Sequence, residues 1–463
     1  MISKAILRKI QDVVGPKHLI KDPAALAEYA TDATELAFLP DAVVFPGSTR
    51  QVSKLLHLAT EKEFPIIPRG AGSGMSGGAL AVTGGVVLGT KRFNHILSID
   101  TDNLVAKVEP GVITAHLQAA VEKVDLFYPP DPASLNISTI GGNVAECAGG
   151  LRAVKYGVTR DYVLGMTIVL PTGEIVKTGV ETMKGVAGYD LTRLIIGSEG
   201  TLAFITEITL RLIPKPATQN TMIAFFPDVS SAVQTVSSII RNKIIPTILE
   251  FMDRLCLDCV RDEMGFRFPD NAEAMLLIEV DGDAVLVGQN TGRIRQVCEQ
   301  GGALKFEAAV DHVASERLWG ARRNVSPALY KLRPHKVNQD IVVPRSRMAE
   351  LVDSMSKLSR AHGLPIANFG HAGDGNIHVN VMLDKGNPQE VESARKIVTS
   401  LFETVIQMGG TISGEHGIGI TKAPYLEMEI SKAGLELMSR IKNAFDPRGI
   451  LNPGKIFRSG SAS

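Results

Sequence analysis

Two histidines and a glutamate in the second half of the chain are placed as metal ligands could be. His371 and His378 flank a glycine-rich turn within Phe369–Asn380, and Glu415 follows in a Gly-Glu-His-Gly sequence. Two imidazoles and a carboxylate leave coordination positions open for a substrate, as in catalytic zinc sites. The set contains no thiolate, so it also suits Fe²⁺ or Mn²⁺. We therefore predict a divalent metal site, with satisfied structural histidines as the alternative.

A pair of arginines could supply the charge that holds an acidic substrate. Arg322 and Arg323 are adjacent within Leu318–Ser326. A guanidinium can bind a carboxylate through two parallel hydrogen bonds. The pattern alone does not separate the two arginines, and a solvated basic helix face would look the same. The stretch is thus a candidate carboxylate clamp.

A glycine-rich stretch in the first half, Pro68–Ala79, could bind a phosphate. Glycine permits unusual backbone angles, so that successive N–H groups can converge on an anion. Gly72, Gly74 and Gly77 also form a GxGxxG pattern, which in a Rossmann nucleotide site must be followed by a helix. Here the following residues lead to a second strand. We predict a strand–loop–strand unit that binds a pyrophosphate through backbone amides, with a flexible loop and a nicotinamide-binding Rossmann motif as alternatives.

Two more glycine clusters follow, at Thr139–Gly150 and Ile196–Leu202, and a proline-rich stretch, Pro129–Ser134, precedes the first of them. Each could be an ordinary turn. Three clusters in one region favour backbone that approaches a large, flat ligand from several sides.

These motifs together resemble the FAD-binding domain of the vanillyl-alcohol oxidase/p-cresol methylhydroxylase superfamily, as does Tyr156–Asp161. With its second half, the chain is similar to the branch of D-lactate dehydrogenases, D-2-hydroxyglutarate dehydrogenases and glycolate oxidase FAD subunits. The resemblance implies an α+β fold with a two-part FAD-binding domain and an α+β substrate (cap) domain containing an antiparallel sheet. The implied domains are residues 1–215, 216–412 and a C-terminal segment 413–463 that returns to the flavin site.

The resemblance also assigns residues to the cofactor. FAD contacts are implied for Pro68, Arg69, Gly70, Ala71, Gly72, Ser73, Gly74, Ser76, Gly77, Pro130, Asp131, Ser134, Gly141, Gly142, Asn143, Ala148, Gly149, Gly150, Glu199, Gly200, Ile205 and Asn452. Some relatives bond FAD covalently to a histidine of the pyrophosphate loop. This loop contains no histidine, so we expect non-covalent FAD.

For the chemistry, the resemblance implies that His371, His378 and Glu415 bind the metal and that His416 is the general base. It places Arg322, Ser326, Lys336 and Asn380 at the substrate. The implied activity is oxidation of a small D-2-hydroxy acid to a 2-oxo acid, with electrons passing to a quinone, an electron-transfer flavoprotein or an iron–sulfur subunit. An electron-relay subunit without its own substrate and an ether-lipid synthase on the same scaffold are the alternatives.

The elements that must position these residues alternate along the chain. Strands are predicted, among others, at Phe64–Ile67, Gly85–Leu88, Val105–Val108, Met166–Val169, Thr206–Leu210, Ala224–Phe226, Met275–Val280 and His378–Met382. Helices are predicted after a Ser48–Gln51 capping box and at Asp228–Arg241, Leu249–Met264 and Ser346–His362. Prolines at Leu212–Pro216 mark a boundary. Cys256 and Cys259 are expected to pack as apolar side chains, and the tail 459–463 to be disordered.

The composition excludes several classes of protein. Lys and Arg number 49, as do Asp and Glu; this balance gives no support to a broad nucleic-acid or polybasic membrane surface. Neither a membrane span nor a signal peptide is evident, and four cysteines in 463 residues favour a reducing compartment. We expect a cytoplasmic homodimer or subunit of a complex, which a partner could hold at the inner membrane.

Overall fold

The computed structural model describes residues 2–263 and 266–457. Within these, the chain forms two compact units, the first containing residues 2–149, 158–215 and 415–457, and the second residues 150–157, 216–263 and 266–414. The tail that we expected to be disordered lies outside the described residues. None of the described helices is both long and apolar enough to cross a membrane.

The first unit contains eleven strands, which form a four-stranded, a five-stranded and a two-stranded sheet. The strands are β1 (Leu19–Ile20), β2 (Ala42–Val44), β3 (Ile66–Arg69), β4 (Val86–Gly89), β5 (Ile96–Asp100), β6 (Val105–Val108), β7 (Leu126–Phe127), β8 (Val163–Val169), β9 (Ile175–Gly179), β10 (Phe204–Arg211) and β11 (Ile213–Pro214). Its α-helices are Lys4–Val14, Pro23–Ala27, Thr49–Lys62, Thr114–Glu122, Ile140–Glu146, Leu191–Ile195 and Lys432–Phe445. Its 3₁₀ turns are Pro16–His18, Thr159–Asp161 and Ala423–Met428.

The four-stranded sheet has the order β1-β2-β4-β3, with β2, β4 and β3 parallel. The helix Thr49–Lys62 begins where predicted, because the Ser48 hydroxyl accepts a hydrogen bond from the Gln51 amide at 3.3 Å. Its apolar face, including Val52 and Leu55, is buried in the core beside β2 and β4. Parallel strands that are buried on both faces require such a cover.

The loop between β3 and β4 contains no helix anywhere in residues 70–85, all of which are described. The two strands are nevertheless parallel neighbours, so the glycine-rich stretch itself forms the crossover. This confirms the strand–loop–strand prediction. It excludes the Rossmann alternative, because no helix N-terminus follows the glycines.

The five-stranded sheet has the order β5-β6-β10-β8-β9, and all its pairs are antiparallel. It contains the predicted strands Val105–Val108, Met166–Val169 and Thr206–Leu210, the last two within longer strands. The two-stranded sheet pairs β7 with β11, which is the last strand of the chain before residue 216. These strand predictions are confirmed.

The second unit is built on one seven-stranded antiparallel sheet of order β15-β12-β14-β13-β17-β18-β16. The strands are β12 (Thr218–Phe226), β13 (Ile248–Asp253), β14 (Ala274–Gly282), β15 (Lys305–Ala308), β16 (His335–Val342), β17 (Ile366–His371) and β18 (Asn376–Leu383). Its α-helices are Ala153–Tyr156, Val229–Arg241, Arg254–Val260, Ala284–Gln300, His312–Ala328, Met348–His362 and Pro388–Gln407. Its 3₁₀ turns are Arg261–Glu263, Leu329–Lys331 and Arg345–Arg347. The expected α+β architecture is confirmed.

One helix prediction in this unit was wrong. The run Leu249–Met264 begins as β13 and becomes helical only at Arg254–Val260, while Met264 lies outside the described residues. A short apolar run fits a buried strand as well as a helix, and pairing with β14 and β17 decides for the strand. Cys256 and Cys259 are buried in the core, as predicted.

Candidate active site

The first unit contains a cavity of about 1330 Å³, including its solvent-filled mouth. All three glycine clusters contribute to its wall. The predicted FAD contacts that line it are Pro68, Arg69, Gly70, Ala71, Gly72, Ser73, Gly74, Ser134, Gly141, Gly142, Asn143, Ala148, Gly149, Glu199, Gly200 and Ile205.

The remaining predicted FAD contacts lie elsewhere. The predicted contacts that do not line the cavity are Ser76, Gly77, Pro130, Asp131, Asn452 and Gly150, the last of which belongs to the second unit. Asn452 has a supporting role, because its side-chain amide donates to the carbonyls of Gly78 at 2.9 Å and Glu199 at 2.8 Å. It therefore ties two of the glycine clusters together.

The wall of this cavity fits a phosphate-bearing cofactor. At Gly74 an added Cβ would meet only the Glu146 carboxylate, at 3.9 Å, so the backbone there is open to a ligand. Ser76 Oγ and Glu146 Oε2 are buried and have no hydrogen-bond partner among the described residues. Backbone amides on a glycine loop, with spare polar atoms behind them, suit a pyrophosphate.

A short C-terminal segment is held against the same wall. The Glu199 carboxylate accepts hydrogen bonds from the amides of Ile418 at 2.7 Å and Gly419 at 2.6 Å. Gly417 has φ +82°, and a Cβ there would collide with Glu146 Oε2. These contacts place Glu415 and His416 in the lining of the cavity.

The predicted base and the predicted carboxylate ligand are close neighbours in this segment. His416 Nε2 lies 3.7 Å from Glu415 Oε1, and both side chains are more than four-fifths buried.

Two carboxyl groups in the wall of the cavity, Glu146 and Glu199, have raised pKa values. Burial and the neighbouring Glu199 and Asp32 carboxylates raise the pKa of Glu146 well above its usual value, and the Lys455 ammonium opposes them only in part. Burial also raises the pKa of Glu199, although the amides of Ile418 and Gly419 oppose it. Glu146 is therefore the group of the pair that carries a proton most readily.

We expect Glu146→Gln to stabilise the FAD-loaded protein at pH 8 and to have little effect near pH 4.5. Above pH 4.5 the unfolded carboxyl ionises while the folded one stays protonated, so stability falls as the pH rises. Each unit of pKa difference costs about 1.4 kcal/mol. Glutamine mimics the neutral acid and removes this cost, which should raise the unfolding midpoint by roughly 2–4 °C per kcal/mol.

Thermal unfolding of the wild type, Glu146→Gln and the control Glu28→Gln between pH 4.5 and 8 checks this. Glu28 is an exposed carboxylate of the same unit. An equal gain at all pH values, or a lower midpoint for Glu146→Gln at pH 8, contradicts it.

In the second unit, the polar site residues share one face of the sheet. Cross-strand register pairs Glu250 with His371, His371 with Asn376, and Asp340 with His378. Directly opposed residues point to the same side of a sheet. The helix His312–Ala328 packs on the apolar part of this face and forms a hydrophobic core with it. The polar residues of the face therefore lie next to this core.

A buried glutamate connects two of the predicted site residues. Glu250 Oε1 lies 2.5 Å from His371 Nδ1, and Glu250 Oε2 accepts a hydrogen bond from Arg322 Nε at 2.6 Å. Burial acts to raise the pKa of Glu250, but the His371 and Arg322 charges and their hydrogen bonds outweigh it and hold the pKa at about 2. Glu250 is therefore a carboxylate at any physiological pH.

Arg322 is fixed by further contacts. Its guanidinium carbon lies 4.7 Å from the centre of the Phe369 ring, and the side chain is 14% exposed. Its neighbour Arg323 instead pairs with Glu316 on the surface. The structure thus separates the two arginines that the sequence pattern could not, and makes Arg322 the candidate clamp.

Asp340 and His378 offer possible ligand atoms within 4.8 Å of one another, but His371, a predicted ligand, is not part of that group. Asp340 is fully buried and accepts hydrogen bonds from the amide of Gly414 at 2.9 Å and from Asn376 Nδ2 at 2.6 Å. His371 and His378 have ring centres 5.3 Å apart.

The other predicted substrate contacts bond to each other or to the sheet. Lys336 Nζ donates to Ser326 Oγ at 2.7 Å, and Ser326 lies one helical turn beyond Arg322. Asn380 is fully buried, donates to two carbonyls and accepts from Asn338 Nδ2 at 2.8 Å. Asn380 therefore stabilises the sheet. The side-chain oxygen of its partner Asn338 is buried and accepts no hydrogen bond among the described residues.

Sequence reasoning missed three carboxylates of these sites: Glu146, Glu250 and Asp340. Each lies in an apolar or glycine-rich stretch, where a charged residue needs a partner in order to be buried. A charged residue within such a stretch was the one signal in the sequence that could have pointed to these three carboxylates. Their partners are distant in the chain, so the sequence pattern could not supply them.

The fold defines the class of protein. The chain is similar to the structure of p-cresol methylhydroxylase with substrate bound, with a TM-score of 0.80 at 18% identity, over 99% of this chain and 98% of that one. The glycine-lined cavity is in the unit that contains the FAD-binding domain, which matches residues 40–179. The protein is a flavoprotein of this fold.

The C-terminal domain model of FAD linked oxidases matches residues 215–456, and the chain belongs to the FAD-linked oxidase family. It is 45% identical to glycolate oxidase subunit GlcD of Bacillus subtilis (strain 168), over 99% of this chain and 97% of that relative. It is 37% identical to a D-lactate dehydrogenase of Anaerostipes hadrus, over 90% of this chain and 89% of that relative.

Proposed function

We propose that this protein oxidises a small D-2-hydroxy acid, of the lactate, glycolate or 2-hydroxyglutarate type, to the 2-oxo acid. The observation that carries the proposal is that His416, the candidate base, lines the same cavity as the glycine loop. The relatives named as a glycolate oxidase subunit and a D-lactate dehydrogenase support this substrate class.

In this proposal each residue has a definite task. Arg322, held in place by Glu250, binds the substrate carboxylate through its terminal nitrogens. His416 takes the proton of the 2-hydroxyl group at an imidazole nitrogen, as histidine does in many general-base reactions. The substrate loses that proton and a hydride from C2, which accounts for both electrons.

Two bound groups complete the site. Non-covalent FAD, when bound, supplies the acceptor for the two electrons. His371, His378 and Glu415 are the ligands that we propose for a divalent metal, with zinc the first choice and Fe²⁺ or Mn²⁺ the others. The metal, when bound, supplies Lewis acidity that lowers the pKa of the substrate hydroxyl. The donor set of two imidazoles and a carboxylate fits such an ion.

We further propose that the electrons leave to a partner other than oxygen, a quinone, an electron-transfer flavoprotein or an iron–sulfur subunit. The relative named as a subunit supports an assembly of this kind. The four cysteines, Cys147, Cys256, Cys259 and Cys298, are all buried and do not form a four-cysteine cluster pattern, so any iron–sulfur centre would belong to the partner. The proposed location is cytoplasmic, at the inner membrane only through such a partner.

An anaerobic panel of D- and L-2-hydroxy acids tests the activity. We expect one D-2-hydroxy acid to bleach the flavin of the purified protein in stopped flow, and its L-enantiomer to leave the flavin oxidised. Reduction by an added electron donor but by no hydroxy acid would instead support an electron-relay subunit. Reduction by the L-enantiomer alone would reverse the assigned stereochemistry.

A further inference from the structure

Glu250 lies at the middle of the second unit's sheet and is completely buried. Its strand, β13, is the direct neighbour of β17, and Glu250 is in register with His371. A buried carboxylate without partners is strongly unfavourable. Here each oxygen has one charged or polar partner, and both partners are candidate active-site residues.

The contact with His371 fixes the chemical form of that imidazole. A carboxylate can only accept a hydrogen bond, so the proton of the 2.5 Å contact resides on His371 Nδ1. The lone pair of a neutral ring is then on Nε2, so Nε2 would be the atom of His371 that holds a metal. The same contact fixes the orientation of the ring.

The contact with Arg322 fixes the plane of the guanidinium. The bond uses Nε, so the two terminal nitrogens remain for a substrate carboxylate. Phe369 stacks against the same group at 4.7 Å. Arg322 is thereby held on two sides, and its position depends directly on Glu250.

We propose that Glu250 is a positioning residue that couples the metal site to the carboxylate clamp. A single carboxylate sets both the tautomer of His371 and the plane of Arg322, so metal ion and substrate carboxylate are aligned by one rigid group. This inference rests on the proposed function. A merely structural ion pair would stabilise the sheet without affecting either binding event.

A matched pair of variants separates these roles. Glu279 is a buried carboxylate on the adjacent strand β14 that bonds Thr221 at 2.8 Å and Trp319 at 3.2 Å, neither of them a candidate site residue. Glu250→Gln and Glu279→Gln each replace a buried carboxylate by its isosteric amide. Only the first disturbs His371 and Arg322.

We would titrate Zn²⁺ into FAD-loaded, metal-stripped protein in competition with a chromophoric chelator. We expect Glu250→Gln to weaken zinc binding by roughly 10–100-fold and to raise KM for the hydroxy acid, with the FAD content unchanged. Glu279→Gln should keep the zinc affinity and KM of the wild type. Wild-type zinc affinity and KM in Glu250→Gln, or equal losses in both variants, would overturn the inference.

The wild type distinguishes the two proposals. Zinc binding without flavin reduction by any hydroxy acid would refute the proposed function, while the zinc affinities still decide the role of Glu250. A wild type that binds no zinc would overturn the positioning role as well.

A second measurement covers the case in which Glu250→Gln does not fold. In zinc-loaded wild type labelled with ¹⁵N-histidine, we expect a protected proton on Nδ1 of His371, assigned by its loss in His371→Asn. A proton on Nε2 of His371 would overturn the inference.

Discussion

His416→Ala should lower turnover by roughly 10²–10⁴-fold, the usual contribution of a general base, while the protein keeps its FAD. His416 lines the glycine-lined cavity beside Glu415, and the segment that carries it is anchored by the Glu199 carboxylate. Removing the imidazole leaves those backbone anchors intact. The measurement is steady-state turnover together with the flavin absorption of the purified variant.

The matched control is His312→Ala, which removes an exposed histidine of the second unit. It should retain wild-type turnover and FAD content. Near-normal turnover of His416→Ala would refute the base assignment. Loss of FAD from that variant would show that His416 acts in cofactor binding.

Removal of the metal should abolish turnover without removing the yellow colour. A Lewis acid contributes several kcal/mol to such a reaction, and 2.7 kcal/mol is already about 100-fold in rate. A chelator should therefore lower turnover by about 100-fold or more, and Zn²⁺ or another divalent ion should restore it. Elemental analysis and the flavin spectrum are followed in parallel.

The variant His378→Gln should reproduce the loss, because it removes one proposed ligand from the buried face of the sheet. His335→Gln, on the same sheet but bonded to the Lys385 amide near its end, should not. Full activity in a preparation shown to be free of metal would remove the ion from the mechanism.

The sequence predicts best those elements whose signals are local. The strand Val105–Val108 was predicted with its observed bounds, and the helix Val229–Arg241 begins after its Asp228 cap. The glycine stretch was correctly predicted as a crossover without a helix, since the residues after Gly77 lead into β4. Hydrophobic periodicity, helix capping and glycine placement are sufficient to predict an element whose conformation is determined by residues near it in the chain.

Prediction failed where the partner is distant. The local pattern of residues 249–253 fits a helix, but pairing with β14 and β17 makes these residues a strand. Glu250 within that run would be exposed in isolation, and becomes buried because Arg322 and His371 meet it. Likewise, the Glu199 carboxylate accepts a hydrogen bond from the amide of Ile418, which lies 219 residues further along the chain. The roles of the metal ligands and of the base remain predictions.

The wall of the glycine-lined cavity is built from segments that are far apart in the chain, which affects when the cavity can form. Ile66 of β3 bridges Leu451, Asn452 bonds Gly78 and Glu199, and Ile418 and Gly419 bond Glu199. Residues from the last tenth of the chain thus close a pocket whose first wall is made near residue 70. The ribosome must finish this segment before the pocket exists, and contacts so remote in sequence form slowly. We therefore expect stable FAD binding to follow translation, because the complete pocket forms only after the C-terminal segment has folded back onto the glycine loop.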